Sequence, residues 1–175
     1  MILSGRALKV GDHISTDQIL PGRYMSLSLP AELAAHALEG LGPEVMDEFT
    51  EGDVLVAGVN FGTGSSREQA PMALLGAGFS LVIAASFGRI FYRNCINMGL
   101  PVLWSSDASR AIAQGDMLEV DTAQGRIRDQ TAGLEFMAAP LPPFVSAVVS
   151  AGGLIAYART RLGQPLVDLN IEDGT

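Results

Sequence analysis

The sequence predicts an α/β protein whose mainly parallel sheet is covered by helices, with an antiparallel part toward the C-terminus. Short, unbroken apolar runs alternate with helical segments between residues 53 and 104, which is typical of parallel strands buried on both faces. After residue 105, apolar and polar residues alternate around short turns instead, a pattern that indicates antiparallel hairpins. We therefore expect two kinds of strand pairing in one chain.

The first third of the chain predicts one strand and two short helices. Residues 3–10 form the strand, and the polar segment 13–22 is expected to be an irregular loop that ends in a Pro-Gly pair. A helix over residues 30–38 begins with a proline, which suits a first helical turn, and Gly40 is a natural stop. Residues 43–49 predict the second short helix.

The middle of the chain predicts the parallel strands and the position of a binding site. Strands are predicted at 53–59, 80–85 and 101–104, with helices at about 67–77 and 88–98 between them. The segment 60–66 therefore follows the carboxyl end of a strand and leads into a helix. Ligands of open α/β sheets bind at such positions.

The last third predicts antiparallel strands and a closing helical region. The strands are expected at 117–121, 126–128 and 134–138, and the helical region at about 142–163, with an interruption at Gly152-Gly153. Residues 164–175 are expected to form a loose terminus. Because no repeat or low-complexity linker divides the chain, we expect a single domain over residues 1–175.

Charge and scarce residue types exclude several classes of function. The chain has 11 Lys+Arg against 19 Asp+Glu, and this net charge of −8 argues against general affinity for nucleic acid or an anionic membrane. Cys95 is the only cysteine, so the chain by itself cannot form an intrachain disulfide or hold an iron–sulfur cluster. No secretory signal pattern and no apolar stretch of ~18 or more residues is present, so we expect a soluble cytoplasmic protein.

The segment at residues 60–71, NFGTGSSREQAP, carries the most informative chemistry. Its glycines allow the backbone to approach a ligand, Ser65 and Ser66 stand where a helix begins, and Arg67 adds a fork of donors that matches a carboxylate. Each serine is also followed three residues later by a Glu or Gln, which fits a helix capping box. The serines therefore cap the helix, bind a ligand, or divide these roles between them.

Other motifs that use serine or glycine fit the segment poorly. A dinucleotide-binding G-x-G-x-x-G would need glycine in place of Arg67, and the G-x-S-x-G nucleophile elbow lacks its flanking spacing. A Ser-His-Asp hydrolase would need His13 or His36 as its base, and neither lies in a convincing context.

Three motifs together resemble the small subunit, or swivelling domain, of the aconitase superfamily, and most closely the small subunit of 3-isopropylmalate dehydratase. They are GDHISTDQILPGRY at 11–24, NFGTGSSREQAP at 60–71 and SFGRIFYRNCINMGLP at 86–101, in the expected order. The match covers roughly residues 5–105, and the combination is highly specific. The resemblance implies the swivelling-domain fold, in β/β/α layers.

The resemblance implies a hydro-lyase that moves a hydroxyl between adjacent carbons of an alkylated malate, in leucine biosynthesis. In the family, a separate large subunit holds a [4Fe–4S] cluster whose open iron binds the hydroxyl and a carboxylate of this small dicarboxylate substrate. The two chains would form a heterodimer or heterotetramer. Ser65 takes the role of the base that removes the carbon-bound proton, while Ser66 and Arg67, next to Gly64, contact a substrate carboxylate. A serine hydroxyl is a poor base, so aimed donors in a closed, dry site must stabilise its alkoxide.

The resemblance also implies that the residues after the PGRY motif select the substrate. Arg23 and Tyr24 lead into Met25, Ser26 and Leu27, where homoaconitase-like members carry an arginine that pairs with an extra carboxylate. Because burial of a carboxylate without a partner is costly, we expect an alkyl group of the substrate there. Alternatively, the loop packs internally, or a cation of the partner subunit reaches it.

Two departures from the family pattern keep other interpretations open. Gln69 stands where the family has histidine, and Thr63 where it has a smaller residue. A homoaconitase- or dimethylmalate-dehydratase-type small subunit therefore remains an alternative, and a carboxylate-binding domain without turnover is the alternative from another class.

Roles are also expected for four charged residues. Asp17 is expected to order the opening loop by local hydrogen bonds, and Arg23 to anchor its loop. Arg89 and Arg93 lie four residues apart on a predicted helix and so share a face, which contacts the substrate, the large subunit or only solvent.

Overall fold

Seven strands and seven α-helices are found among residues 1–163, the part of the chain that the structure, a computed structural model, describes. The expected loose terminus at 164–175 lies outside these residues. The strands are β1 Ile2–Lys9, β2 Val54–Ala57, β3 Leu81–Ala84, β4 Val102–Trp104, β5 Met117–Asp121, β6 Arg126–Asp129 and β7 Leu134–Met137. The helices are α1 Thr16–Ile19, α2 Pro30–Ala34, α3 Gln69–Ala77, α4 Arg89–Met98, α5 Ser106–Ala111, α6 Pro143–Ser150 and α7 Leu154–Arg161.

The strands form a single sheet in the order β4-β3-β2-β1-β5-β6-β7. Strands β1 to β4 pair in parallel, while β5 pairs antiparallel with β1, and β6 and β7 continue as antiparallel neighbours. The predicted fold class, a mainly parallel sheet with an antiparallel C-terminal part, is confirmed. Strand β1 joins the two halves because its neighbours run in opposite directions.

Each parallel strand sends alternate side chains into two separate cores. Leu55 packs with α3 and α4 on one face, whereas Val54 and Val56 pack on the other face with α5 and the antiparallel strands. All four side chains of β2 are at least 99% buried. This burial on both faces explains why the strand reads as an unbroken apolar run.

The segment 13–22, predicted to be an irregular loop, contains a helical turn. Helix α1 begins with a capping box, in which the Ser15 hydroxyl accepts from the Gln18 N–H (3.2 Å) and the Gln18 side chain accepts from the Ser15 N–H (2.9 Å). The Ser-x-x-Gln spacing therefore forms a cap at this turn, whereas the same spacing in the segment 60–71 caps no helix.

Two further differences lie in the helices. Helix α2 ends at Ala34 rather than near residue 38, and Leu38 has a left-handed backbone (φ 59°) whose N–H donates to the Ile19 carbonyl (2.7 Å). This tertiary bond replaces the helical one. Helix α5 was not predicted, although Ser105 caps it by accepting from the Ala108 N–H (3.3 Å).

Among residues 1–163, no helix is long and apolar enough to cross a bilayer.

The thiol of Cys95 provides a test of the packing of α4. Cys95 is fully buried, and burial raises the pKa of its thiol well above the ordinary value. Because the thiolate is the reactive form, iodoacetamide at about pH 8 should leave the native protein unmodified. In denaturant, it should add a single carbamidomethyl group to each chain. Intact-mass spectrometry distinguishes these results, and rapid alkylation of the native protein would contradict the packing.

Candidate functional site

Three loops meet at the carboxyl edge of the parallel strands. The loop that follows β2 lies between the loops that follow β1 and β3, and it pairs with both: Thr63 with Ser15, and Phe61 with Phe87. The Gly62 N–H donates to the Ile14 carbonyl at 2.8 Å. These parallel bridges continue the sheet beyond its strands, so the segment that carries Ser65 is fixed on both sides.

Glycine is required in this loop because the backbone is close to an aromatic ring. Gly62 has a φ of +74°, and a Cβ atom there would lie 2.1 Å from Cγ of Phe91. Gly64 has a φ of +110°, and Asn60 has a φ of +58°. Three left-handed residues within five positions turn the chain sharply immediately before Ser65.

Ser65 and Ser66 lie in the loop ahead of α3 and are exposed. The capping interpretation of these serines is wrong, because α3 begins only at Gln69 and no side chain caps it. Within residues 1–163, the backbone N–H groups of residues 64–68 donate to no protein acceptor. The Ser65 carbonyl accepts a bond from the Thr16 hydroxyl (3.3 Å), which ties this residue to α1. Exposed hydroxyls and free amides together form a candidate site for an anion.

Arg67 connects the Ser65 loop to the opening loop. Its guanidinium forms a short ion pair with Asp17 and a long contact of 3.4 Å with the Leu20 carbonyl. Only 12% of the Arg67 side chain is exposed, and its Nε–H is buried without an acceptor among the described residues. The expectation that Asp17 acts through local hydrogen bonds is wrong, because its partner is 50 residues away.

The turn at Gly22 lies directly over this ion pair. A Cβ atom at Gly22 would be 3.4 Å from Asp17 Oδ1 and 3.6 Å from Arg67 Nη2. The expected substrate-selecting residues 24–27 follow immediately. They are therefore brought next to the Ser65 loop, although the two segments are far apart in the chain.

The expected substrate-selecting residues divide into an inner and an outer pair. Tyr24 and Leu27 are half-buried and pack against the core on the α3 side, whereas Met25 and Ser26 are exposed. The Gln69 side chain donates to the Met25 carbonyl at 3.5 Å, so this departure from the family pattern contacts the same loop. The alternative of internal packing holds for two of the four residues.

Glu39 gathers the polar side chains around this loop. One carboxylate oxygen accepts from the Arg23 guanidinium in a short ion pair and from the Tyr24 hydroxyl (3.0 Å), and the other lies 2.7 Å from Nδ1 of His36. The His36 ring stacks on Tyr24 with 3.6 Å between centroids, and the Arg23 guanidinium lies 4.8 Å from the centre of the Tyr24 ring. Arg23 is thus an anchor of its loop.

These contacts shift the pKa values of both charged partners. Partial burial on its own would raise the pKa of Glu39, but the hydrogen bonds from His36, Tyr24 and Arg23 together lower it. The bonds to Tyr24 and Glu39 raise the pKa of Arg23. Glu39 therefore stays ionised in the folded protein, and it holds Arg23 and Tyr24 in place.

An open cleft of about 540 Å³ lies on the other side of the Ser65 loop. One wall is formed by Gly62, Thr63 and Gly64, and the other by the first turns of α4 with Arg89 and Arg93. The two arginines share a helix face as predicted, and that face borders the cleft.

The described residues do not provide ligands for an iron–sulfur cluster. Among residues 1–163, no group of three or more His, Cys, Asp or Glu side chains is arranged to hold a metal ion. Cys95 is the only thiol of the chain and is buried in the core, whereas iron–sulfur clusters are bound through several thiolates. This chain does not fit the cluster that the resemblance implies for the family's large subunit.

Sequence reasoning missed the residues that hold the two loops together. Thr16 and Glu39 were not singled out, and His36 was considered only as a catalytic base. Their partners are between 3 and 49 positions away, and no local motif marks such contacts. The capping spacing of Ser15 and Gln18 was the one available signal.

Comparisons with known proteins agree with these features. Residues 32–106 match the family model described as the aconitase C-terminal domain. The chain is 49% identical over 160 residues to the 3-isopropylmalate dehydratase small subunit of Caldanaerobacter subterraneus subsp. tengcongensis, a match that spans 91% of this chain and 99% of that protein. The 3-isopropylmalate dehydratase small subunit of Methanosarcina mazei is 51% identical over 157 residues, which are 90% of this chain and 96% of that one.

A solved structure has the same fold. The crystal structure of a 3-isopropylmalate dehydratase from Methanocaldococcus jannaschii superposes with a TM-score of 0.87 at 41% identity, and covers 93% of this chain and 96% of that chain. Sequence identity near one half over almost the full length of these relatives, together with the shared fold, establishes the relationship. The chain therefore belongs to the family of 3-isopropylmalate dehydratase small subunits.

Proposed function

We propose that this chain is the small subunit of a two-chain hydro-lyase of the 3-isopropylmalate dehydratase type, in leucine biosynthesis. The enzyme interconverts the 2- and 3-hydroxy isomers of an alkylated malate by loss and re-addition of water. The observation that carries the proposal is the exposed Ser65-Ser66 pair on a loop that is fixed on both sides, next to free backbone amides. The names of the relatives favour this substrate type over the homoaconitase and dimethylmalate alternatives.

Ser65 is the proposed proton acceptor. Its Oγ takes the proton from the carbon next to a carboxylate, while the C–H electron pair forms the double bond as the neighbouring hydroxyl leaves. In the return step, the hydroxyl adds to the carbon that lost the proton, and Ser65 gives the proton to the carbon that lost the hydroxyl, which restores the alkoxide. The backbone N–H groups of residues 64–68, which have no protein acceptor among the described residues, would stabilise the alkoxide and the charge that develops on the substrate.

Ser66 and Arg67 are the proposed carboxylate-binding residues. The Ser66 hydroxyl is exposed beside Ser65, and the Nε–H of Arg67 is a buried donor that has no acceptor within residues 1–163. A buried guanidinium that is already oriented by Asp17 loses little conformational freedom when it binds an anion. Gly64, with its left-handed backbone, allows the carboxylate to approach the main chain.

The loop at residues 24–27 is the proposed recognition site for the alkyl group. The exposed Met25 side chain offers apolar surface, and Ser26 carries no charge. A substrate with a third carboxylate would find no cation at residues 24–27, so burial of that charge beside them would be costly. An isopropyl group has no such cost.

The large subunit is the proposed partner and the proposed site of the [4Fe–4S] cluster. When bound there, the cluster supplies a Lewis acid for the hydroxyl and a carboxylate of the substrate. In this chain Ser65 is open to water, which competes for its hydroxyl and for the amide donors. Closure of the partner over the loop would exclude that water and strengthen each of these interactions.

Replacement of Ser65 tests the catalytic base. In the complex with the large subunit, Ser65→Ala should lower kcat by roughly 10²–10⁴-fold with little change in KM, because a general base acts on the chemical step. The assay follows the absorbance of the unsaturated intermediate during hydration and dehydration.

A matched exposed serine controls for the loss of a hydroxyl. Ser150 lies at the end of α6 and is exposed, so Ser150→Ala should keep normal turnover and assembly. Near-normal kcat for Ser65→Ala in an intact complex would remove Ser65 from the role of base.

A positive charge in the recognition loop tests substrate selection. Ser26→Arg should lower kcat/KM for 3-isopropylmalate about tenfold or more, because the guanidinium must lose water beside an alkyl group. Ser28 is also exposed but lies beyond the loop residues, so Ser28→Arg adds the same charge as a control. Equal rates for both variants and the unaltered enzyme would contradict the assignment of the loop.

Removal of the Glu39 charge tests the loop anchor. A carboxylate whose pKa is lowered by folding stabilises the native state above its ordinary pKa, and this contribution disappears as the pH falls through the lowered value. Glu39→Gln should therefore lower the Tm at neutral pH, and the difference from the unaltered protein should shrink in acid as the pH falls through the lowered pKa of Glu39.

The same variant separates anchoring from catalysis. Glu39→Gln should raise KM several-fold more than it lowers kcat, because the loop binds substrate but does not take part in proton transfer. A Tm difference that stays constant between neutral and acidic pH, or an effect on kcat alone, would contradict the anchoring role.

A further inference from the structure

Large apolar side chains are exposed at the edge of the sheet that carries the Ser65 loop. Ile90, in the first turn of α4, is 49% exposed, and so is Trp104 at the end of β4. The Trp104 ring stacks on Tyr92 of α4 at 4.7 Å between centroids, so Trp104 packs against the helix that carries Ile90. Large apolar side chains exposed on a helix and on the strand end that packs against it favour an interface, since exposed apolar side chains are usually scattered singly on a free surface.

Two arginines flank this apolar surface. Arg89 and Arg93 are exposed, and within residues 1–163 neither forms an ion pair nor donates a side-chain hydrogen bond. In a chain with a net charge of −8, carboxylates outnumber cations, and other arginines such as Arg67 and Arg128 do form ion pairs with acidic side chains.

The position of the surface relates it to Ser65. Arg89, Ile90 and Arg93 line the same cleft as Gly62 and Gly64, which immediately precede Ser65. A body large enough to exclude water from Ser65 would therefore also cover the beginning of α4.

We infer that the α4 face, defined as Arg89, Ile90, Arg93 and Trp104, is the docking surface for the large subunit, and that the contacting segment of that subunit carries Asp or Glu opposite the two arginines. The inference rests on the proposed function, because it takes its partner from there. Arginine and tryptophan are the residue types that dominate interface energies, and a basic pair on an acidic chain directs a carboxylate-bearing partner to this edge.

Other occupants of the face fit the structure less well. A second copy of this chain would cover the cleft and block access to Ser65. A substrate carboxylate would account for the arginines, but it would leave the large apolar side chains of Ile90 and Trp104 exposed to solvent. Only a macromolecular partner with both acidic and apolar groups satisfies all four residues.

The experiment compares charge reversal on this face with charge reversal elsewhere. Arg89→Glu/Arg93→Glu changes the net charge by four, and so does Arg110→Glu/Arg161→Glu at two exposed arginines of α5 and α7. The Kd of each for the cognate large subunit is measured by calorimetry at low and at physiological salt, and kcat is measured at saturating large subunit.

The α4 variant should bind the large subunit at least about tenfold more weakly at low salt, with a smaller dependence on salt than the unaltered chain. The control pair should change Kd by less than about twofold, and kcat at saturation should remain near normal for both. Ile90→Ser should weaken binding without altering the salt dependence. Circular dichroism melting of each variant ensures that the comparison is made between folded proteins.

Four results would overturn the inference. An unchanged Kd for the α4 variant excludes the face as the interface, and equal weakening of the control pair assigns the effect to overall charge. A raised substrate KM with an unchanged Kd makes the arginines a substrate subsite. Dissociation of a self-associated form of the isolated chain by Arg89→Glu/Arg93→Glu makes the face an interface between copies.

If the unaltered complex forms but does not turn over 3-isopropylmalate, the proposed function fails while the docking inference stands.

Discussion

The contact between the opening loop and the Ser65 loop determines how the rest of the site is arranged. Backbone pairing of Ser15 with Thr63 and the ion pair of Asp17 with Arg67 join segments about 50 residues apart. The pairing fixes the main chain, and the ion pair, with only 12% of the Arg67 side chain exposed, fixes the guanidinium. Because Asp17 is itself 61% exposed, the cost falls on one side: removal of Asp17 would leave the largely buried guanidinium of Arg67 without its anion. The geometry next to Ser65 therefore depends in part on Ser15 and Asp17, which have no contact with substrate in the proposed function.

The recognition loop is held by a second network that has little redundancy. Glu39 uses both carboxylate oxygens, one for Arg23 and Tyr24 and the other for His36. With Glu39 absent, the stacking of His36 on Tyr24 would remain, but no anion would hold Arg23 beside the ring. The exposed Met25 and Ser26 can thus be placed accurately even though they pack on little themselves. Support of an exposed binding residue by buried or half-buried neighbours is what limits its motion.

The sequence predicted the sheet well because its signals are local. Unbroken apolar runs identified β2, β3 and β4, and the helix predicted at about 88–98 is α4. The serine motif of residues 60–71 was identified from its residues, but its local interpretation was not correct in full: the capping spacing at Ser65 and Ser66 is not used, while the one at Ser15 and Gln18 is. Spacing alone cannot distinguish these cases, because the outcome depends on whether tertiary contacts such as Thr16 to Ser65 hold the loop away from the helix. Glu39 could not have been found, since nothing in its neighbourhood indicates Arg23 or Tyr24 as partners.

The two sides of the Ser65 loop differ in how their arginines are paired, and this asymmetry has a physical consequence. On the side of the opening loop, Arg67 and Arg23 are paired with Asp17 and Glu39, so these guanidinium groups are held in place before any ligand arrives. On the side of α4, Arg89 and Arg93 border an open cleft and have no ion-pair partner among the described residues. Satisfied charges preserve a fixed geometry, whereas exposed cations gain free energy only when an anion arrives. One side of the loop is thus held by contacts within the chain, whereas the arginines on the other side are available to acidic groups of a partner. This arrangement is expected where one polypeptide supplies a proton acceptor and another must enclose it.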